Sequence, residues 1–362
     1  MHEFPGNRRR RCPGSVSRHP QLGSLRAAPR RLGAFHQIDQ GDTSMSDDQV
    51  NYYYYLNLIK DQQRVEAFGT AIGRTVKPGD VVVELGSGLG TYSFFAARAG
   101  ARKVYGIEKG GIVRTAEQLA RLNSLAQIVE FVEGDSTDIS LPEKADVLIL
   151  ENFSSLFVRR RLSEIIQDAL ERHLKDKGRV IPEKASMFLA PFTEESLWRE
   201  CLRLEDTGWE LYQLDLGLLR QMMLNSPHVI RAGAGSMLAS PQFFKQVEIA
   251  RPSEFLFDVI LTYRIEKRAI LHGLLGWFDL QISDGVCLSN APWNADSTWG
   301  QVAFPLAQPR PVEAGEKITV RLSCQRGTIR DDLWWAWQCT TQSGVSESCS
   351  LHGLPFQVAE FE

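Results

Sequence analysis

A ten-residue stretch, VVVELGSGLG at 81–90, constrains the fold more than any other part of the chain. Its three valines form an apolar, β-branched run that is typical of a strand buried on both faces. Glu84 precedes three alternating glycines, Gly86, Gly88 and Gly90, and a segment with helical periodicity follows. Because glycine permits tight turns and close ligand approach, this order predicts the opening of a nucleotide-binding α/β domain.

Acidic residues recur where the next predicted strands end. KVYGIE ends in Glu108, 22 positions after Gly86, which is about the length of a helix and a second strand. In such folds this acid accepts hydrogen bonds from ribose hydroxyls. A third unit ends in VEGDSTDI, which contains Asp135 and Ser136, and a fourth strand, ADVLILE, ends in Glu151. The combination indicates a ligand site much more specifically than a glycine turn alone.

The glycine spacing favours S-adenosyl-L-methionine over a dinucleotide as the cofactor. Dinucleotide-binding domains prefer G-x-G-x-x-G, because their helix N-terminus meets a pyrophosphate. An acid before the glycines would repel a pyrophosphate but suits the ammonium and sulfonium of S-adenosylmethionine, and no Gly-Lys-Ser/Thr follows to make a P-loop. For Asp135 and Ser136, the alternative to a contact with adenine is a plain turn after the third strand. The predicted contacts are Glu84, Gly86, Ser87, Gly88 and Gly90 with the methionine part, Glu108 with the ribose, and Asp135 and Ser136 with the adenine.

Length, charge and cysteines exclude several classes of protein. A chain of 362 residues favours two domains, and no apolar run approaches the ~18 residues of a membrane span. Six cysteines without metal-ligand spacing predict free thiols in a reducing, cytoplasmic compartment and no metal site. The net charge of −3 combines +5 over residues 1–44 with −8 over the remainder. This acidic body predicts no nucleic-acid partner, and we expect no membrane partner either.

We predict an α/β domain followed by an all-β domain. Residues 1–46, rich in Arg, Pro, Gly and Ser, are predicted to be disordered: a basic arm, a transit peptide or, as we favour, an over-extended start before Met45. Residues 47–181 form the Rossmann-like domain. Residues 183–362 contain short alternating runs that predict an antiparallel β-barrel. Helical periodicity at 193–227 interrupts them, as either a dimerisation arm or a cover of the barrel edge.

These features together resemble the protein arginine methyltransferase family. ELGSGLGTYSFFAARAGARKVYGIE resembles the family's first motif and KDQQR the segment before it. GWFDLQIS at 276–283 and STWGQVAFPL at 297–306 resemble its barrel motif, so the resemblance covers about residues 50–330. It implies that Arg64 grips the cofactor carboxylate, a contact suited to the guanidinium fork. It also implies a homodimer through 193–227 and a nitrogen acceptor, arginine or arginine-like.

The sequence departs from the family where the acceptor binds. The family carries two glutamates after the fourth strand, which bracket the guanidinium and hold it in line with the methyl group. Glu151 keeps the first position, but the second falls near Arg160, and Glu164 is the nearest later acid. The barrel histidine of the family is replaced by Thr298. We expect Glu151 to face the acceptor, where it orients an amine or guanidine or acts as a base.

Two aromatic residues are candidates for the walls of the acceptor pocket. Residues 47–76 have helical periodicity, and their tyrosines either pack on the domain or form a lid over the cofactor. Tyr55 lies near where the family tends to carry histidine, and Trp299 follows the altered barrel position. Three functions stay open: an arginine methyltransferase, a methyltransferase of the same architecture for a small molecule or modified peptide, and a catalytically silent cofactor-binding scaffold. Intact cofactor motifs argue against the scaffold, whereas the missing second glutamate favours another acceptor.

Overall fold

The computed structural model describes residues 52–202, 210–211, 214–251, 255–294, 297–327 and 333–350. The segment 1–46, predicted to be disordered, lies outside these ranges, as does part of the predicted arm at 193–227. Residues 46–362 group into one compact unit. Within the described ranges, every helix is too short or too polar to cross a membrane.

The first half of the unit is built on a five-stranded parallel sheet. Its elements are α1 (Tyr52–Lys60), α2 (Gln62–Thr75), β1 (Val81–Leu85), α3 (Thr91–Arg98), β2 (Lys103–Glu108), α4 (Val113–Leu122), β3 (Val129–Glu133), β4 (Ala145–Leu150), α5 (Leu162–Arg172) and β5 (Leu174–Ile181). The strand order is β3-β2-β1-β4-β5, so β1 lies at the centre and is buried along its whole length. The order in which strands are added reverses between β1 and β4: β2 and β3 lie on one side of β1, and β4 and β5 lie on the other. Open α/β sheets bind ligands at such a point. The predicted Rossmann-like domain is confirmed.

The predicted helical region 47–76 divides into two helices at Asp61. The Asp61 side chain accepts a hydrogen bond from the backbone N of Arg64 at 3.0 Å and thereby caps the N-terminus of α2. Asp61 itself has non-helical φ and ψ values of −71° and 81°. Tyr55 of α1 lies over the glycine turn after β1, where its ring is 3.1 Å from the position of a Cβ on Gly88.

The second half consists of antiparallel sheets, as the alternating runs predict. Its elements are β6 (Lys184–Phe192), α6 (Glu195–Leu202), β7 (Glu210–Leu211), β8 (Leu214–Asp215), α7 (Gly217–Leu224), β9 (His228–Ile230), β10 (Gln242–Glu248), β11 (Phe257–Arg264), β12 (Ala269–Ser283), β13 (Val286–Ser289), β14 (Gln301–Val312), β15 (Lys317–Arg326), β16 (Leu333–Thr341) and β17 (Gly344–Cys349). One sheet has the order β10-β6-β12-β14-β9 with β13 beside β12, and another has the order β11-β15-β16-β17. Phe304 of β14 packs against Trp335 and Trp337 of β16, which joins the two sheets in a barrel-like core.

The loop between β4 and α5 is anchored in the β-rich half. Phe153 packs on Phe278 of β12 with ring centroids 5.6 Å apart and stacks on Trp299 at 5.4 Å. Phe157 is fully buried and also contacts Phe278. Because aromatic rings bury large apolar areas, these contacts fix the loop that follows Glu151 against the barrel.

Candidate active site

The turn after β1 requires glycine at three positions. Gly86, Gly88 and Gly90 have φ values of 69°, 52° and 82°, in the left-handed region that side chains disfavour. A Cβ on Gly90 would also lie 2.4 Å from the ring of Phe131. The alternating glycines of the sequence are therefore a requirement of backbone conformation, and they expose the turn to a ligand.

Glu108 closes this turn from the neighbouring strand. Its Oε2 accepts a hydrogen bond from the backbone N of Gly88 and its Oε1 accepts one from Gly110, both at 2.8 Å. Each carboxylate oxygen can accept a further hydrogen bond. Half-buried Glu108 can therefore hold the turn and still receive a ribose hydroxyl, as the sequence predicts.

Glu84 lies deeper than its predicted contact with the methionine part of the cofactor requires. It is 3 % exposed inside β1, and it accepts hydrogen bonds from the hydroxyl of Ser93 and, at 2.7 Å, from its backbone N. Ser93 lies in the first turn of α3, whose N-cap, Gly90, has no side chain to accept these donors. Burial raises the pKa of Glu84 to about 8. In the structure Glu84 stabilises the start of α3, and a direct cofactor contact stays a prediction.

Asp135 and Ser136 form the turn after β3. The Asp135 carboxylate accepts hydrogen bonds from the backbone N of Thr137 at 3.1 Å and from its hydroxyl at 2.8 Å, and these bonds lower its pKa. The carbonyl of Ser136 accepts hydrogen bonds from Arg172 at 2.7 Å and from His173 at 3.1 Å. This is the arrangement of a plain turn fixed by the end of α5. Their contact with adenine stays a prediction.

Arg64 links the cofactor turn to the acceptor side. Its Nη1 donates to Oε1 of Glu151 at 3.3 Å and its Nη2 donates to the carbonyl of Leu58 at 2.5 Å. The guanidinium is buried and lies 5.3 Å from the centre of the Trp299 ring. Burial raises the pKa of Glu151 to about 7, although the charge of Arg64 opposes this shift. The predicted cofactor ligand and the predicted acceptor ligand are thus hydrogen-bonded to each other.

The residues present fit S-adenosylmethionine. The hydroxyl of Ser87, in the glycine turn, is buried and has no hydrogen-bond partner within the described ranges, and the same holds for Nε of Arg64. Buried polar groups are normally paired, so both point to a ligand with polar atoms. Glu108 offers acceptors to ribose hydroxyls and Arg64 a donor fork to a carboxylate. In the bound state the cofactor would supply an electrophilic methyl group beside Glu151.

Asp61 also bonds to the barrel. Its Oδ2 accepts hydrogen bonds from the backbone N of Thr298 at 3.0 Å and from the Thr298 hydroxyl. Thr298 stands where the resemblance places histidine, and it connects α2 to the loop before β14. The sequence patterns do not single out Asp61 as a site residue, although an aspartate directly before a helix is typical of an N-cap.

The two predicted wall residues occupy different environments. Trp299 is 4 % exposed and stacked on Phe153, so it forms a buried floor beneath Arg64. Tyr55 is half-buried, packs edge-on against Tyr54 at 5.2 Å and covers the glycine turn. Their contact with an acceptor stays a prediction, and the packing of Tyr55 on Gly88 supports the lid interpretation.

The sequence places Arg160 at the position of the second family glutamate, with Glu164 as the nearest later acid, and the role of Glu164 as a second carboxylate stays a prediction. Arg160 is exposed on the loop before α5. Glu164, in the first turn of α5, pairs with Arg161 at 3.6 Å and accepts a hydrogen bond from Arg326 of β15. Its charge is therefore balanced by these two arginines. The acids that the structure places beside Arg64 are Glu151, at 3.3 Å, and Asp61, whose Oδ2 lies 3.9 Å from the Nε of Arg64.

Comparisons with known proteins agree with this architecture. Residues 183–340 match the family model described as the arginine methyltransferase oligomerization subdomain, and residues 47–185 match the TRM5/TYW2 methyltransferase domain. The structure is similar to that of Arabidopsis thaliana protein arginine methyltransferase 10, with a TM-score of 0.70, 25 % identity and coverage of 82 % of this chain and 97 % of that one. It also shares the fold of the Trypanosoma brucei PRMT1 enzyme–prozyme heterotetrameric complex with AdoHcy, with a TM-score of 0.74 and 22 % identity over 82 % of this chain and 96 % of that one.

Curated relatives give the same family. A probable histone-arginine methyltransferase CARM1 of Oryza sativa subsp. indica is 31 % identical over 299 residues, which cover 76 % of this chain and 56 % of the relative. Probable histone-arginine methyltransferase 1.4 of Arabidopsis thaliana is 33 % identical over 315 residues, 79 % of this chain and 59 % of the relative. The chain thus spans just over half the length of these relatives. Together with the sheet order and the glycine turn, these matches show that the chain belongs to the protein arginine methyltransferase family.

Proposed function

We propose that this protein is an S-adenosylmethionine-dependent methyltransferase that acts on the nitrogen of an arginine or arginine-like acceptor, on a protein, a peptide or a small molecule. The observation that carries the proposal is the buried Arg64–Glu151 pair beside the glycine turn. Family membership and the fit of the site residues to the cofactor support it.

The chemistry follows from the charge states of the two partners. A free guanidinium has a pKa of about 12.5–13.8, so its nitrogen is a poor nucleophile while protonated. The carboxylate of Glu151 accepts its N–H groups, aligns one nitrogen with the methyl carbon and takes the proton that this nitrogen loses. When bound, S-adenosylmethionine would supply the methyl group of its sulfonium to this nitrogen, and its sulfur would keep the electron pair of the S–C bond that breaks. Arg64 would hold the cofactor carboxylate.

The proposal includes an oligomeric state and a cellular location. We expect a homodimer, because residues 183–340 match an oligomerization subdomain and Leu214, Leu218 and Leu219 are exposed in the predicted arm. We place the protein in the cytoplasm, since Cys339 and Cys349 are free thiols, as in a reducing compartment.

Methyl transfer from labelled S-adenosylmethionine to an arginine-rich peptide tests the activity. We expect label on the guanidino nitrogens, identified after acid hydrolysis, together with saturable cofactor binding. A parallel assay with small guanidino compounds separates the two acceptor classes. Tight cofactor binding without label on any of these acceptors would contradict the proposed function and favour a silent scaffold.

A further inference from the structure

The β4–α5 loop places consecutive arginines, residues 159–161, where the family resemblance puts a glutamate. The preceding residues fix its backbone: Leu156 and Phe157 are buried, and the hydroxyl of Ser154 donates to the carbonyl of Val158 at 2.6 Å. The arginines that follow therefore extend from a defined point, although their side chains are exposed.

Arg159 turns back towards the cofactor turn. Its Nη1 lies 3.5 Å from the carbonyl oxygen of Asn152, the neighbour of Glu151. The amide nitrogen of Asn152 in turn lies 3.2 Å from the position of a Cβ on Gly86. The guanidinium of Arg159 therefore lies beside the main chain of the residue that follows Glu151.

The charge of Arg159 also reaches the lid. Burial raises the pKa of Tyr54 and Glu151 adds to this effect, whereas Arg64 and Arg159 lower it. Arg64 is engaged by Glu151, but Arg159 forms no ion pair with a carboxylate in the part of the chain that the structure describes. Arg159 thus supplies an exposed, uncompensated positive charge beside the site.

Arg159 also lines a cavity together with residues of α5 and of the barrel. Arg161 and Arg326 line it with Glu164, which pairs with both, and its apolar lining includes Phe255 and Leu333. The lining carries three guanidinium groups and one carboxylate, and Asp135 lies 4.0 Å from Arg161, so this wall has an excess of positive charge. A guanidinium acceptor without an anionic group would meet like charge here, which disfavours binding.

We propose that the methyl acceptor carries a carboxylate or phosphate close to the nitrogen that is methylated, and that Arg159 binds this anionic group while Glu151 holds the nitrogen. The proposal rests on the function proposed above and names its substrate class. The guanidinium fork of Arg159 matches the oxygens of a carboxylate or phosphate in a bidentate contact. Arg159 is then a specificity-determining residue.

Matched acceptor pairs test this role with the full-length protein. Nα-acetylarginine, which has a free carboxylate, is compared with Nα-acetylargininamide, and a single-arginine peptide with phosphoserine beside the arginine is compared with its serine form. Binding is measured by calorimetry with S-adenosylhomocysteine present, and methyl transfer is measured separately. The variants are Arg159→Glu, Arg159→Lys and, as a surface control, Arg268→Glu, whose side chain is 83 % exposed and pairs with Glu313 at 3.3 Å.

At least one anionic acceptor should bind roughly tenfold to a hundredfold tighter than its neutral partner, the range expected for a charge-assisted hydrogen bond. Arg159→Glu should abolish this preference, Arg159→Lys should retain part of it, and the control should leave it unchanged. A preference limited to one pair identifies a carboxylate or a phosphate as the group bound. Equal or undetectable binding within both pairs, or a preference that survives Arg159→Glu, would overturn the inference. An Arg159-dependent preference without methyl transfer would instead refute the proposed function and leave the anion site standing.

Discussion

The two sides of the site are built from different parts of the chain. On the cofactor side, the site is shaped mainly by the backbone. Left-handed glycines form the turn, and Glu108 binds the N–H groups of Gly88 and Gly110. On the acceptor side, the proposed binding groups are the side chains of Glu151 and Arg159. A backbone requirement restricts which residues fit, whereas a side chain on an anchored loop can change without altering the fold. One scaffold can therefore keep its cofactor while its acceptor changes.

Among these variants, Glu151→Gln is expected to show the largest difference between its effect on turnover and its effect on cofactor affinity. Loss of the carboxylate removes proton acceptance and alignment, so turnover should fall by about 10²–10⁴-fold, while cofactor affinity changes by less than about threefold. Glu117→Gln, on the exposed face of α4, is the control and should keep full turnover. Unchanged turnover in Glu151→Gln would remove this carboxylate from the mechanism.

On the cofactor side, Gly90→Ala should destabilise the turn itself. The new Cβ would lie 2.4 Å from Phe131 at a φ of 82°, so strain and overpacking should lower the free energy of unfolding by about 2–4 kcal/mol. Urea unfolding measures the change. In Gly73→Ala, within α2, the added Cβ meets no atom within 4 Å. That control should be neutral or stabilising by up to about 1 kcal/mol, and equal losses in the two variants would contradict the steric argument.

The ionisation of Glu151 should make the reaction rate depend on pH. Because burial raises its pKa to about 7, the fraction of carboxylate grows as the pH rises through this value. The kcat/KM for the cofactor, which reports groups of the free enzyme, should therefore fall about tenfold per unit below pH 7 and level off above it. A profile that is flat from pH 5.5 to pH 8 would show that the ionisation of Glu151 does not limit the reaction.

Local patterns predict the cofactor side and leave much of the acceptor side undetermined. The buried valine run and the left-handed glycines are short-range requirements, so the sequence alone predicts β1 and its turn. The bonds of Glu108 to this turn are not predicted, and its contact with ribose stays a prediction. The Arg64–Glu151 pair joins residues 87 positions apart, and the Asp61–Thr298 contact spans 237 positions. The first contact depends on where α2 packs within the α/β half, and the second depends on how the barrel packs against that half. Glu84 shows the limit on the cofactor side, because a strand-end acid and a buried helix cap look alike in sequence.

The smallest of the expected effects is the loss of stability in Thr298→Val, at the contact between α2 and the barrel. Valine keeps the backbone N–H bonded to Asp61 but removes the hydroxyl donor, which leaves a buried carboxylate oxygen with one bond fewer. The free energy of unfolding should fall by about 1–2 kcal/mol, and Thr298→Ser, which retains the donor, should lose less than about 0.5 kcal/mol. Thermal unfolding of both variants distinguishes the hydroxyl from the methyl group. This bond joins α2 to the loop before Trp299, so we expect it to affect acceptor binding only by positioning that loop. Thr298→Val should therefore raise KM for the acceptor more than it lowers kcat. If Thr298→Val and Thr298→Ser were equally stable, the hydroxyl at the position of the family's histidine would have no structural role in this chain.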